Sequence, residues 1–321
     1  NKLGIKGSPT AELVFNNAPA QLVGDRKLGL IKYVMSLMNG ARLGVGAQSV
    51  GLAEAAYREA VKYANEREQF GKAIINFPQV YEMLANMRAK TDAIRTLLYE
   101  TARSVDMYKS LEAISRERKL ENDERATLKT YSRLADALTP MLKLFSSEYA
   151  NQITYDCIQV HGGSGFMKDY ACERFYRDAR ILTIYEGTSQ LQVVAAIRGV
   201  VSGAYVARIK EYEAIEVRDE LKPLRQTLIS LREAFEQCYE KVKEFGSSSE
   251  AFDFNSRRLV EIAGYLIMGN LLVNDANKDE MFTKSARIMT KIAQAEIEKA
   301  ITYINNFDAS ILEDYKSLIA E

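Results

Sequence analysis

Histidine occurs once in this chain, tryptophan never, cysteine three times and proline five times in 321 residues. Each scarcity closes off some chemistry. Cys157, Cys172 and Cys238 are odd in number and lack C-x-x-C spacing, and His161 is the only imidazole able to join them. Neither a metal centre nor a disulfide framework is expected, and a reducing, cytoplasmic compartment fits such thiols. Charge of one sign is lacking too, because 43 basic residues face 43 acidic ones. Without a basic excess, nucleic acid is not the expected partner. No uninterrupted apolar run approaches the ~20 residues that cross a bilayer, so no membrane span is expected. Nor is a secretory leader expected. What the chain has in quantity is apolar side chains, 47% of the total, enough for a large core.

Residues Lys2 to Val23 place Leu3, Ile5, Val14 and Phe15 among glycines, prolines and asparagines, which predicts two short strands and turns. Two strands do not make a stable sheet alone. The segment is therefore expected to be the end of a β-domain, occupying residues 1–25 of a piece of a longer protein. From Leu28 the spacing is helical. A first helix is predicted to Glu66, with Gly40, Gly44, Ala47 and Gly51 as a small-residue stripe for a neighbouring helix or a ligand. A second starts at Pro78 and runs to about Lys109, followed by a charged connection from Ser110 to Glu124 that could itself be partly helical. A third reaches Gly162, kinked or split by Pro140. Shorter helices come next, over Ala171 to Arg180 and from Ser189 to about Tyr205. Beyond Arg208 a charged helix is predicted over Glu211 to Phe245, a flexible break at Gly246 to Ser249, and two more helices over Asn255–Val273 and Lys278–Phe307. The fold class is mainly α, with one set of helices over 26–207 and a second helical bundle over 208–321 as a structural or assembly module.

Three short motifs could carry chemistry. Arg67-Glu68-Gln69-Phe70-Gly71-Lys72 joins a cation, an amide and a ring before a glycine turn, suited to a phosphate or to an ordinary helix terminus. Gln159-Val160-His161-Gly162-Gly163-Ser164-Gly165-Phe166 could offer backbone N–H groups to an anion, or simply cap a helix. Ile184-Tyr185-Glu186-Gly187-Thr188-Ser189-Gln190 sets one carboxylate at a tight turn before an apolar helix, where a general base could point into a pocket. The Gly lets the backbone bend, and the Thr hydroxyl can cap the apolar helix.

In this order and context, the three motifs closely resemble the acyl-CoA dehydrogenase family, from about Gly4 to Gly199. The resemblance implies that the helices over 26–207 form a C-terminal four-helix bundle, in an FAD-dependent enzyme that oxidises acyl-CoA to trans-2-enoyl-CoA and passes electrons to electron-transfer flavoprotein. It implies Glu186 as the base, with its own N–H as a donor to the thioester oxygen. Arg67, Gln69 and Phe70 resemble residues that reach the FAD of a neighbouring subunit, and Gln159, Gly162 and Gly163 a loop against that same cofactor. Thr188 and Gln190 resemble FAD contacts beside the base. Arg42, Tyr185, Met35 and Met38 fall at substrate positions, although methionines at helical spacing also suit a core. Sites shared in this way imply a homodimer or homotetramer.

Two features depart from the small family members, the charged stretch from Ser110 to Glu124 and everything after Arg208. Both resemble a larger bacterial subgroup with an appended helical domain, some of whose members act on short or methylthio-substituted acyl-CoAs. Because most of the β-domain lies outside this chain, the chain alone is expected to bind FAD poorly and to be inactive by itself. The competing readings are an acyl-CoA oxidase or related flavoenzyme, and a non-catalytic helical assembly module.

Overall fold

A computed structural model describes residues 1–320, apart from the side chains of Leu30, Ile31, Lys32, Met35 and Ser36. Ten α-helices account for most of the described residues. A π-helical stretch, Gly29–Val34, leads into α1, Met35–Glu66. After α1 come a two-residue hairpin, β1 (Glu68–Gln69) and β2 (Lys72–Ala73), then α2, Pro78–Glu117, and α3, Asn122–His161. The short helices α4 (Ala171–Ala179), α5 (Ser189–Val201) and α6 (Ala204–Glu213) precede α7 (Lys222–Lys243), α8 (Glu250–Lys278), α9 (Thr283–Asn305) and α10 (Ile311–Ala320).

In the first bundle, α3 is the centre and α1, α2 and α5 pack around it. Buried alanines at three- and four-residue spacing, Ala53, Ala56, Ala60 and Ala64, give α1 a thin inner ridge. This lets α3 approach closely. A Cβ on Gly46 would sit 2.6 Å from the Leu142 side chain of α3, so a larger residue there would force that side chain to move. The stripe formed by Gly40, Gly44, Ala47 and Gly51 lies on the opposite, exposed face, where added Cβ atoms at the three glycines would meet nothing. It does not serve helix packing within this chain.

Around α8, the helices α7 and α9 build the second bundle, and α8 and α9 also pack on α2. One apolar core runs through both bundles, from Val50 to Ile304. Asp92 of α2 ties them with polar bonds, accepting from Ser285 Oγ of α9 at 2.7 Å and pairing with Arg88 and Arg95. By length and composition α8 could cross a membrane, but 83% of its apolar window is buried here, as expected of a core helix.

Several sequence expectations need correction. Residues 2–23 form no strand; Leu13, Val14 and Phe15 are exposed, and the segment is tied down only at its start, where Ile5 N–H donates to Asp178 at 2.5 Å. Alternation alone cannot make a strand, because its backbone groups need a neighbour. The one two-stranded sheet is the hairpin at Glu68–Ala73. The helix α2 runs past Lys109 to Glu117, so the charged connection is partly helical as the sequence allowed, and α3 begins at Asn122 behind a capping box between Glu121 and Glu124. Pro140 neither splits nor ends α3. It forfeits one bond in a 40-residue helix whose middle is buried on all sides, and packing makes up the loss. The predicted helix over Glu211–Phe245 is broken between Glu213 and Lys222, and Pro223 falls in the first turn of α7, where its missing N–H costs nothing. Gly203, at φ 70°, bends α6 by 69° from α5.

Candidate active site

The turn between α4 and α5 starts from two successive left-handed residues, Glu186 at φ 56° and Gly187 at φ 90°. Glycine takes such a conformation freely, whereas glutamate pays about 1–3 kcal/mol for it and holds it only where the surroundings insist. Here they do. Gln192 Nε2 of α5 donates to the Glu186 carbonyl at 3.2 Å and to the Gly187 carbonyl at 2.9 Å. Lys143 Nζ of α3 donates to the Gly187 carbonyl at 2.7 Å, and Arg42 Nε of α1 reaches the Glu186 carbonyl at 3.4 Å. A Cβ on Gly187 would lie 2.8 Å from Gln192 Nε2. Thr188 then caps α5, its Oγ1 accepting from Leu191 N–H at 3.4 Å.

The Glu186 side chain is half-buried, and its Oε2 is out of contact with water without a hydrogen-bond partner. A carboxylate oxygen left in that state is costly unless another molecule uses it. The Glu186 N–H likewise meets no acceptor among the described residues. Burial lowers the pKa of the Arg42 guanidinium, opposed by the charge of Glu186. Burial raises the pKa of the Tyr185 phenol, and Glu186 raises it further. The Tyr185 hydroxyl donates to Gln48 of α1. Arg42, Tyr185 and Glu186 are thus brought together. Met38 is half-buried one turn before Arg42 on α1, while the Met35 side chain lies outside the described residues. A cavity of about 380 Å³ opens beside Thr188 and Gln190, with Glu148, Asn151 and Arg180 in its wall, but Glu186 does not line it.

The other motifs meet at the far end of α1. Phe70 (φ 51°) and Gly71 (φ 79°) make the two-residue turn of the β1–β2 hairpin. Phe70 is 93% exposed, and Arg67 and Gln69 are exposed beside it. Tyr63, one turn earlier, stacks on His161 with ring centroids 4.3 Å apart and donates its hydroxyl to Ser164 Oγ at 3.2 Å. This fastens the hairpin end of α1 to the glycine loop. Gly162 (φ 58°) and Gly163 are exposed, and a Cβ on either would meet nothing, so their backbone is open to a visitor. Gln159 is exposed on the last turn of α3. Arg42 and Arg67 are 25 positions apart along α1, about 37 Å at 1.5 Å per residue, so the first group of motif residues does not meet the second.

Sequence reading missed some of the convergence. Lys143 and Gln192 are both fully buried and both hold the acid turn. Ser189 Oγ donates to Glu148 at 2.6 Å and fixes the start of α5 to α3. Cys157, His161 and Cys172 also come together, their ligand atoms within 4.8 Å of one another, despite the absence of a motif spacing. His161 Nδ1 lies 2.7 Å from the Cys157 carbonyl, so that nitrogen carries its proton there, and burial raises the pKa of both thiols.

These features define a class first: a helical bundle that presents one carboxylate on a strained turn, with an open glycine loop at its other end. Residues 31–200 match the family model for the acyl-CoA dehydrogenase C-terminal domain, and residues 201–312 match that for the acyl-CoA dehydrogenase C terminal. The chain belongs to the acyl-CoA dehydrogenase family. It is 40% identical over 203 residues to an acryloyl-CoA reductase (NADH) of Anaerotignum propionicum, covering 62% of this chain and 45% of that one. It is 38% identical over 201 residues to a 3-methylmercaptopropionyl-CoA dehydrogenase of Ruegeria pomeroyi, covering 60% and 32%. An acyl-CoA dehydrogenase of Bacillus anthracis, solved in complex with FAD, superposes with a TM-score of 0.75 at 26% identity over 99% of this chain and 58% of that one. The matched segment therefore spans less than half the length of these curated relatives.

Proposed function

We propose that this chain is the C-terminal part of an FAD-dependent acyl-CoA dehydrogenase in which Glu186 is the base. The observation that carries this reading is the partnerless, buried Oε2 on a turn that three helices hold in a costly conformation. Such a carboxylate is free to take a proton from the carbon next to a CoA thioester. The Glu186 N–H, without an acceptor of its own, donates to the thioester oxygen as charge builds there, which makes that carbon acidic. Closure over the acyl chain excludes water and strengthens both interactions. Arg42 and Tyr185 shape the substrate side of the turn, with Met38 and Met35 along the same helix.

The residues present fit FAD: an open glycine backbone, an exposed aromatic ring and an arginine at one end, and a capped helix start beside the acid at the other. Arg67, Gln69, Phe70, Gln159, Gly162 and Gly163 would hold one flavin nucleotide, and Thr188 and Gln190 another. FAD supplies the acceptor for the β-hydrogen as hydride. The separation of about 37 Å between the two groups supports a homodimer or homotetramer in which each cofactor is shared between subunits. Electron-transfer flavoprotein is the proposed electron acceptor.

The kinship with an acryloyl-CoA reductase favours a second reading, the reverse reaction, in which Glu186 returns a proton to an enoyl-CoA. The test is an anaerobic screen of saturated and 2,3-unsaturated acyl-CoAs on the full-length protein. Bleaching of the oxidised flavin by saturated thioesters supports the dehydrogenase, reoxidation of reduced flavin by enoyl thioesters supports the reductase, and inertness toward every thioester contradicts both.

A further inference from the structure

Among the described residues Lys143 is the one lysine buried from solvent, wedged between Leu142 and Leu144 in the packed middle of α3. An ammonium group withdrawn from water costs several kcal/mol unless it is paired. Among the described residues no carboxylate lies within ion-pair distance of Lys143, and its hydrogen bond goes to the Gly187 carbonyl at 2.7 Å. That carbonyl already accepts from Gln192 at 2.9 Å, so the lysine is not needed merely to satisfy it. What the lysine adds is a charged tether from the rigid centre of the bundle to the strained turn.

We propose that Lys143 is a positioning residue: by holding the Gly187 carbonyl, it keeps Glu186 in the left-handed conformation that aims its carboxylate at substrate. The proposal rests on the reading of Glu186 as base. Gln192 belongs to the helix that the turn itself starts, and Arg42 touches the turn at a longer 3.4 Å. Among the three groups on the Glu186 and Gly187 carbonyls, Lys143 is therefore the shortest link to an element that cannot move with them. A charge-assisted bond of this kind is about twice as strong as a neutral one, and misplacement of a reacting group by 1 Å costs about 100-fold in rate.

The charged groups that face Lys143 are Arg42 from α1, Glu148 from α3 and Glu186 from the turn. Burial, then Arg42, pulls the lysine pKa down to about 8, against the pull of the two carboxylates. The tether therefore loses its charge as pH rises through that value.

The experiment uses the full-length flavoprotein and the variants Lys143→Met and Lys143→Gln, the second keeping a neutral donor should the first not fold. Both are expected to retain flavin, to lose about 100-fold in kcat with little change in KM, and to lack the fall in rate near pH 8 expected of the native enzyme. Hydrogen exchange of the segment 185–190, which requires no turnover, should quicken in both. Native kcat, a native alkaline limb and native exchange in either variant would overturn the proposal. If those appear while Glu186→Gln is dead, only the role of Lys143 falls. If Glu186→Gln turns over normally, the reading of the base falls instead, and unchanged exchange would then remove the tether as well.

Discussion

The two ends of α1 are built on opposite plans. At one, Arg42, Lys143 and Gln192 converge from three helices on the carbonyls of Glu186 and Gly187, and the turn is fixed by this chain alone. At the other, Phe70 projects into solvent on a two-residue hairpin and the glycine loop faces outward. Strain at the first end is counterbalanced from within, which suits a group that must be in place before its substrate arrives. The second end is an exposed surface that can gain further contacts from another molecule, which suits one wall of a cofactor site.

This contrast can be broken most forcefully at Gly187. Gly187→Ala forces a Cβ into Gln192 at a φ that side chains avoid. It should cost about 1–3 kcal/mol of stability and about 100-fold in kcat, measured by denaturant unfolding and steady-state rates. The exposed end should behave in the reverse manner. Arg67→Ala and Phe70→Ala should leave the unfolding free energy within about 0.5 kcal/mol. Each should weaken FAD binding by about tenfold, the worth of a charged hydrogen bond or a buried ring, as read by flavin release from the full-length protein. Equal loss of stability at both ends would erase the distinction.

A smaller effect concerns pH. Because the folded-state pKa of Lys143 lies below the ordinary lysine value, the unfolded chain binds more protons between about 8 and that value, 10.5. Native stability therefore rises with pH across this window relative to Lys143→Met, and the difference is flat below about 8. Melting temperatures of both proteins from pH 7 to 10 check the sign. The mildest change is Thr188→Ala, which removes the cap of α5 for about 1 kcal/mol, with a melting temperature lowered accordingly.

Much of the acid turn was legible in the sequence, because Gly187 and Thr188 are local signals for a left-handed bend and a helix start. Its supports were not. Lys143 reads as one basic residue among 43, although its place inside the run Leu138-Thr139-Pro140-Met141-Leu142-Lys143-Leu144-Phe145 was a clue that it faces the core. Gln192 falls on an apolar helix with nothing local to mark its role. The meeting of Tyr63 with His161 and Ser164 depends on how α1 and α3 cross, which spacing along one helix does not reveal. Strand alternation in residues 2–23 misled, since pairing is a property of two segments. Pro223, by contrast, marked the break before α7 in advance, and the charge pattern around it obscured the signal.

The most direct test of the base at the strained turn is Glu186→Gln in the full-length protein, mixed anaerobically with an acyl-CoA that bleaches the native flavin. The substitution keeps shape and flavin while removing the proton acceptor. Full flavin content with bleaching slowed by about 10²–10⁴-fold is the predicted result. Bleaching at the native rate would contradict the account.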